Sequence, residues 1–239
     1  MKRHIQLDEN ESYARVVVCG SPERAQLMSK LLQNPKQVAM NREYHSFLGR
    51  YQEKEILITS HGVGAAGAAI CFQELIDVGA KALIRVGTAG GLYDETKIGD
   101  IVVATSAVRK DGVSEQMIPL AYPAVPDLGL SNMLIRSLRE KGWTGRSGTI
   151  VTSDLFYPGL ISNELELYRS AHAVAVEMEC SALFVIGQLR QVKTGAVLVL
   201  DGNPLKWSEG LYDPDPERLK QSVELCFRSA FETLATINL

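Results

Sequence analysis

No Cys-x-x-Cys pair occurs in this chain; its four cysteines, Cys19, Cys71, Cys180 and Cys226, stand far apart. That spacing argues against a zinc ribbon or a disulfide-stapled scaffold and suits small buried thiols in a reducing compartment. Long apolar runs are missing too. Stretches such as Ala196 to Leu200 are far too short to cross a bilayer. Lys2, Arg3 and His4 are followed by acidic residues rather than an apolar segment, so no signal peptide is expected. Neither sign of charge dominates: the net charge is −3, which excludes nucleic-acid or membrane binding by bulk charge. A cationic site must then be local. Internal repeats, low-complexity tracts and Gly, Ser or Pro-rich linkers are also absent. The expectation is one soluble, cytoplasmic domain spanning residues 1–239, with 46% hydrophobic residues to build its core.

What the chain does contain is short β-branched runs alternating with helical stretches. Strands are expected at Arg15–Cys19, Ile56–Ser60, Ala82–Val86, Ile101–Ser106, Ala173–Val176 and Thr194–Leu200. Helical spacing of apolar residues marks Ala65–Val78, Leu130–Lys141, Ser181–Gln191 and Pro216–Ala235. Ser21-Pro22-Glu23 reads as a helix start, with Ser21 as cap and Pro22 at the first helical position. Alternation predicts an α/β fold with a largely parallel central sheet flanked by helices. Residues 37–60 read instead as successive strands broken at Asn41 and Glu53-Lys54, so the sheet is expected to be mixed.

Ile84-Arg85-Val86-Gly87-Thr88-Ala89-Gly90-Gly91 reads as a buried strand entering a glycine turn. Arg85 cannot shed its proton there and needs an anionic partner, either a bound phosphate or carboxylate or a buried Asp or Glu. Two more strand ends carry glycine, Cys19-Gly20-Ser21-Pro22 and Ser60-His61-Gly62-Val63-Gly64, and ligands gather at such ends in α/β sheets. Gly62 to Gly67 spells GxGxxG, but no acid follows at the second strand end; close helix–strand packing is the better reading. Arg24, in the first turn after Gly20, makes an anion site or an exposed helix arginine. Arg42 alone reads as a turn residue. Glu177 and Glu179 cannot both lie in an apolar core unpartnered. One can accept from vicinal hydroxyls or complement a helix start. Asp201, ending a buried strand, is a turn former or a general acid/base. Trp207 and the Phe156-Tyr157-Pro158-Gly159 turn offer aromatic surface for a flat ligand or the core.

Taken together, these segments resemble the nucleoside phosphorylase family that includes hexameric purine nucleoside phosphorylases and uridine phosphorylases. The matching motifs are Gly20-Ser21-Pro22-Glu23-Arg24, Asn41-Arg42-Glu43-Tyr44, Ser60-His61-Gly62-Val63-Gly64, Arg85-Val86-Gly87-Thr88, Ile98-Gly99-Asp100-Ile101, Thr152 to Pro158, Val176-Glu177-Met178-Glu179 and Asp201-Gly202. Segments Asn41–Ser46, Gly187–Gly202 and Pro204–Gly210 look most like the apicomplexan purine enzymes.

The resemblance implies roles by position. Gly20, Arg24, Arg85 and Thr88 would hold phosphate, with Arg42 reaching the phosphate of a neighbouring subunit. His4 would reach that neighbour's ribose 5′ hydroxyl. Glu179, beside the Met178 backbone, would bind the 2′ and 3′ hydroxyls; Tyr157 and Trp207 would contact the nucleoside; Asp201 would face N7 of the base. Inorganic phosphate is the implied co-substrate, with no cofactor or metal. A dimer would be the catalytic unit, and three dimers a hexamer. Uridine phosphorylases carry a Gln and an Arg after the Phe-Tyr-Pro turn; Leu160 and Ser162 stand there in this chain, and uridine enzymes lack the acid at Asp201. Both differences favour inosine and guanosine over uridine. Bacterial purine enzymes add an arginine downstream of the acid, and none lies between Asp201 and Glu217. Either Asp201 works alone or adenosine is a poor substrate. The alternatives are a uridine phosphorylase, a nucleosidase using water, which has no use for three phosphate arginines, and a non-catalytic nucleoside binder.

Overall fold

A computed structural model describes residues 1–157, 159–161, 164–209 and 216–239, with the backbone alone described for Trp207, Ser208, Glu209 and Pro216. Its elements are β1 (Arg15–Cys19), α1 (Pro22–Ser29), β2 (Gln33–Asn41), β3 (Tyr44–Tyr51), β4 (Lys54–Ser60), α2 (Ala65–Asp77), β5 (Ala82–Gly91), β6 (Ile101–Lys110) and α3 (Gly112–Met117). There follow α4 (Leu128–Glu140), β7 (Arg146–Ser153), α5 (Leu165–Ser170), β8 (Ala175–Glu177), α6 (Cys180–Arg190), β9 (Lys193–Gly202), a 3₁₀ turn (Pro204–Glu209) and α7 (Pro216–Thr236).

The strands form one mixed sheet in the order β2-β3-β4-β1-β5-β8-β7-β6-β9, and β5 also pairs with β9. That extra pairing closes β5, β8, β7, β6 and β9 into a ring, from which β1, β4, β3 and β2 extend. β1, β4, β5 and β9 run parallel, so their carboxyl ends share one edge. The expected antiparallel excursion is the β2–β3–β4 meander.

Strand alternation divides the core. Val16, Val18, Leu83 and Leu198 pack on one side with Phe72 of α2 and Phe184 of α6. Val17, Cys19, Ile84, Val197 and Val199 face the other side, against Leu134 of α4 and Phe227 and Phe231 of α7. A period of two along each strand thus feeds two helical layers. No helix among the described residues is long and apolar enough to cross a membrane.

The expected elements recur with shifted ends, and Ser21 does cap α1, accepting from the Arg24 N–H at 3.1 Å. One expectation is corrected. The glycines from Gly87 to Gly91 do not turn; β5 runs through them, paired with β9 from Ala82 to Gly90 and with β8 at Gly90 and Gly91. Tertiary pairing on both sides outweighs the weak strand preference of glycine. Three further elements, β7, α3 and α5, lie where no regular structure is expected from the sequence.

Between β6 and α4 the chain is organised by a buried arginine. Arg109 donates to the Ser114 hydroxyl and to the carbonyls of Ser114, Ile118, Pro119 and Tyr122, at 2.6–3.0 Å. All five guanidinium N–H groups have work there. Arg109→Leu strips four carbonyls of their donor and should lower stability by about 3 kcal/mol, read as a fall in the urea midpoint. A loss below about 1 kcal/mol would show that this segment is held by other contacts.

Candidate active site

The parallel strands end around a cavity of about 670 Å³. Its lining includes Gly20 after β1, Gly62 and Val63 after β4, Arg85 and Gly87 to Gly90 along β5, Val176 to Glu179 from β8 to the start of α6, and Asp201 at the end of β9. Arg24 of α1 joins them. Segments distant in sequence therefore meet because their strands are parallel neighbours.

Arg85 is the charged centre. It is only 3% exposed, and its alternate position along β5 puts it on the face of Leu83. Its Nε donates to Glu177 at 3.1 Å, one terminal nitrogen pairs with Glu179, and the other approaches His61 Nε2 at 3.2 Å. Of the two partners left open by the sequence, a buried carboxylate is therefore present, twice, while the guanidinium still borders the cavity. Burial by itself would lower the Arg85 pKa; Glu179 and then Glu177 reverse that and hold it higher than usual. Gly87 makes room for this arrangement: a Cβ there would lie 2.8 Å from the guanidinium carbon.

The two glutamates divide the work. Glu177 is only 4% exposed and accepts from the Thr152 hydroxyl at 2.6 Å and from the backbone N–H groups of Glu179 and Cys180 at 2.8 and 3.0 Å. It thus completes the N-terminus of α6 while pairing with Arg85. Glu179 accepts from the Gly64 N–H at 2.7 Å, tying α6 to the turn after β4. Gly64 has φ +96°, which aims that N–H where an L side chain would be strained. Burial, with the Arg85 charge opposing it, pushes the Glu179 carboxyl above the ordinary carboxylate range. Asp201 is half-buried at the cavity wall. Burial raises its pKa, against the Thr88 hydroxyl and the Arg24 charge, which both pull it down.

Of the residues singled out from the sequence, Gly20, Arg24, Arg85, Thr88, Met178, Glu179 and Asp201 all line this one cavity. Arg42 and His4 do not. Arg42 is exposed at the tip between β2 and β3, with φ +53°. His4 sits half-buried, its Nδ1 2.7 Å from Glu74 and its carbonyl accepting from Asn41 at 2.8 Å. That bond ties the N-terminal segment to the β2 end beside Arg42. Tyr157 is 77% exposed, edge-on to Phe156, and it is Phe156 that lines the cavity. Pro158, Ser162 and the side chain of Trp207 fall outside the described residues. The pairing of Glu177 with Arg85, and the lining residues Ser153, Leu165 and Leu205, were not singled out from the sequence. A helical residue such as Leu165 carries no local signal of a site, but an acid two residues before Glu179 on a buried strand does.

Residues 14–235 match the family model described as the phosphorylase superfamily, and the chain belongs to that family. It is 42% identical to a purine nucleoside phosphorylase of Plasmodium vivax, covering 96% of this chain and 97% of that one. Among solved structures it resembles the Toxoplasma gondii purine nucleoside phosphorylase in complex with immucillin-H, with a TM-score of 0.93, 32% identity, and coverage of 98% and 94%. A uridine phosphorylase from Vibrio fischeri is also similar, with a TM-score of 0.89 at 31% identity, covering 98% and 97%.

Proposed function

We propose that this enzyme phosphorolyses purine ribonucleosides, inosine and guanosine foremost, to the free base and ribose 1-phosphate. The observation that carries this reading is the presence of Asp201, with its raised pKa, in the same cavity as Arg24 and Arg85. Breaking C1′–N9 leaves positive charge on the sugar and negative charge on the leaving purine. Phosphate held by Arg24, Arg85 and Thr88 stabilises the first and then captures C1′; placement and electrostatics do most of the work. Glu179 fixes the ribose through its 2′ and 3′ hydroxyls. Asp201 donates to N7 as the base departs, and a carboxyl raised by burial keeps its proton nearer neutrality than a solvated one. Phosphate is thus a co-substrate, and no step calls for another cofactor.

The site is completed by a second subunit. Arg42 and His4 lie off the cavity of their own chain, on the connected β2 end and N-terminal segment, which suits delivery to a neighbour. We take the dimer as catalytic unit, assembled into a hexamer of identical chains. The buried thiols suit a cytoplasmic enzyme.

Inosine cleavage should require phosphate and exceed uridine cleavage, and Asp201→Asn should lower kcat on inosine by ~10²–10⁴-fold. Deprotonating Asp201 removes the proton donor, so wild-type activity should fall as pH rises through its raised pKa. That limb should vanish in the residual activity of the variant. Near-normal turnover of Asp201→Asn would remove this acid from the mechanism, and phosphate-independent cleavage would indicate a nucleosidase.

Subunit sharing has its own test. Arg42→Ala and Asp201→Asn homo-oligomers should each be nearly inactive. After equimolar unfolding and refolding together, about half of the dimers should be mixed, each with one of its two sites intact, so the mixture should regain about a quarter of wild-type activity. No recovery would place Arg42 in its own subunit's site.

A further inference from the structure

His61 is fully buried at the end of β4, and the chemistry above makes no use of it. Its backbone N–H donates to the Cys19 carbonyl, which sets where the ring begins, and the ring packs edge-on against Phe72 at 5.4 Å. Arg85 offers only donors, so at 3.2 Å the imidazole must accept at Nε2 and carry its proton on Nδ1. Nδ1 is buried and has no hydrogen-bond partner among the described residues. Such an N–H destabilises a fold, and an apolar residue beside Phe72 would not bring that cost. The imidazole is explained by what its other nitrogen holds. Burial, and then the charge of Arg85, keep it well below the ordinary histidine pKa, so the neutral, accepting form persists near pH 7.

Resting on the phosphorolysis reading, we propose that His61 is a positioning residue for phosphate: with Glu177 it clamps the Arg85 guanidinium so that its free donors face the bound anion. The fork has five N–H groups. Glu177 takes the one on Nε, while His61 and Glu179 each take one from a different terminal nitrogen. One N–H then remains on each terminal nitrogen, free to donate to an oxygen of a bound phosphate. Without His61 the terminal nitrogen beside it loses its anchor, and the fork can rotate away from that alignment.

The test measures KM for phosphate and for inosine, and calorimetric binding of inorganic phosphate, in the wild type, His61→Leu and His61→Gln. The leucine variant should weaken phosphate by about ten-fold in both measurements, with inosine KM changed less than about two-fold. The glutamine variant, whose amide oxygen can accept from Arg85, should stay within about three-fold of wild type. His61→Asn, too short to reach, replaces the leucine variant if that one does not fold. Unchanged phosphate affinity in a variant without an acceptor overturns the proposal while leaving phosphorolysis in place. So does equal damage from Leu and Gln, or a parallel rise in both KM values, since each marks a packing role. A wild type that cleaves inosine without phosphate overturns phosphorolysis and this proposal together.

Discussion

The burial of one guanidinium organises this molecule's site. Arg85 sits in a strand flanked on both sides, with the apolar face of α2 and α6 nearby, where a lone charge would be untenable. Its compensation comes from two carboxylates on one short segment, Glu177 and Glu179, which start α6. That pairing fixes β8 and α6 against β5, and through Gly64 it also fixes the turn after β4. The phosphorolysis we propose needs a cation in this position, and the fold supplies one already oriented.

The same pairing leaves the cavity needing more positive charge. One arginine faces two carboxylates, so the phosphate of the proposed reaction would meet no surplus cation from Arg85 alone. Arg24 at the start of α1 adds charge from the same chain, and in the proposed dimer Arg42 adds it from the next. Burial works in the same direction by pushing the carboxyl groups of Glu179 and Asp201 toward their neutral forms. In the proposed reaction, substrate anion, sugar and base would meet a site whose negative groups are restrained by desolvation.

Much of this was legible in the sequence because the informative residues sit at strand ends. A buried run closed by Asp201, a glycine turn followed by Arg24, and an arginine inside Ile84–Val86 each break a local rule, and such breaks concentrate at functional sites. The glycines after Arg85 misled, since glycine signals a turn locally, whereas here it permits close approach within a strand held by β8 and β9. The strand Arg146–Ser153 was hidden by its polar first half, which is paired with β6 through backbone bonds that need no apolar side chains. The contacts of His61 and Glu177 with Arg85 are beyond reach of sequence alone, because they form only once β4, β5 and β8 are arranged in the sheet.

The central claim is that an oxyanion on Arg85 and Arg24 attacks the sugar carbon itself. Incubating the enzyme with inosine and fully oxygen-18-labelled phosphate, then reading the products by phosphorus NMR and mass spectrometry, tests this directly. Ribose 1-phosphate that retains every label should form in step with hypoxanthine. Free ribose in place of the phosphate ester would contradict it.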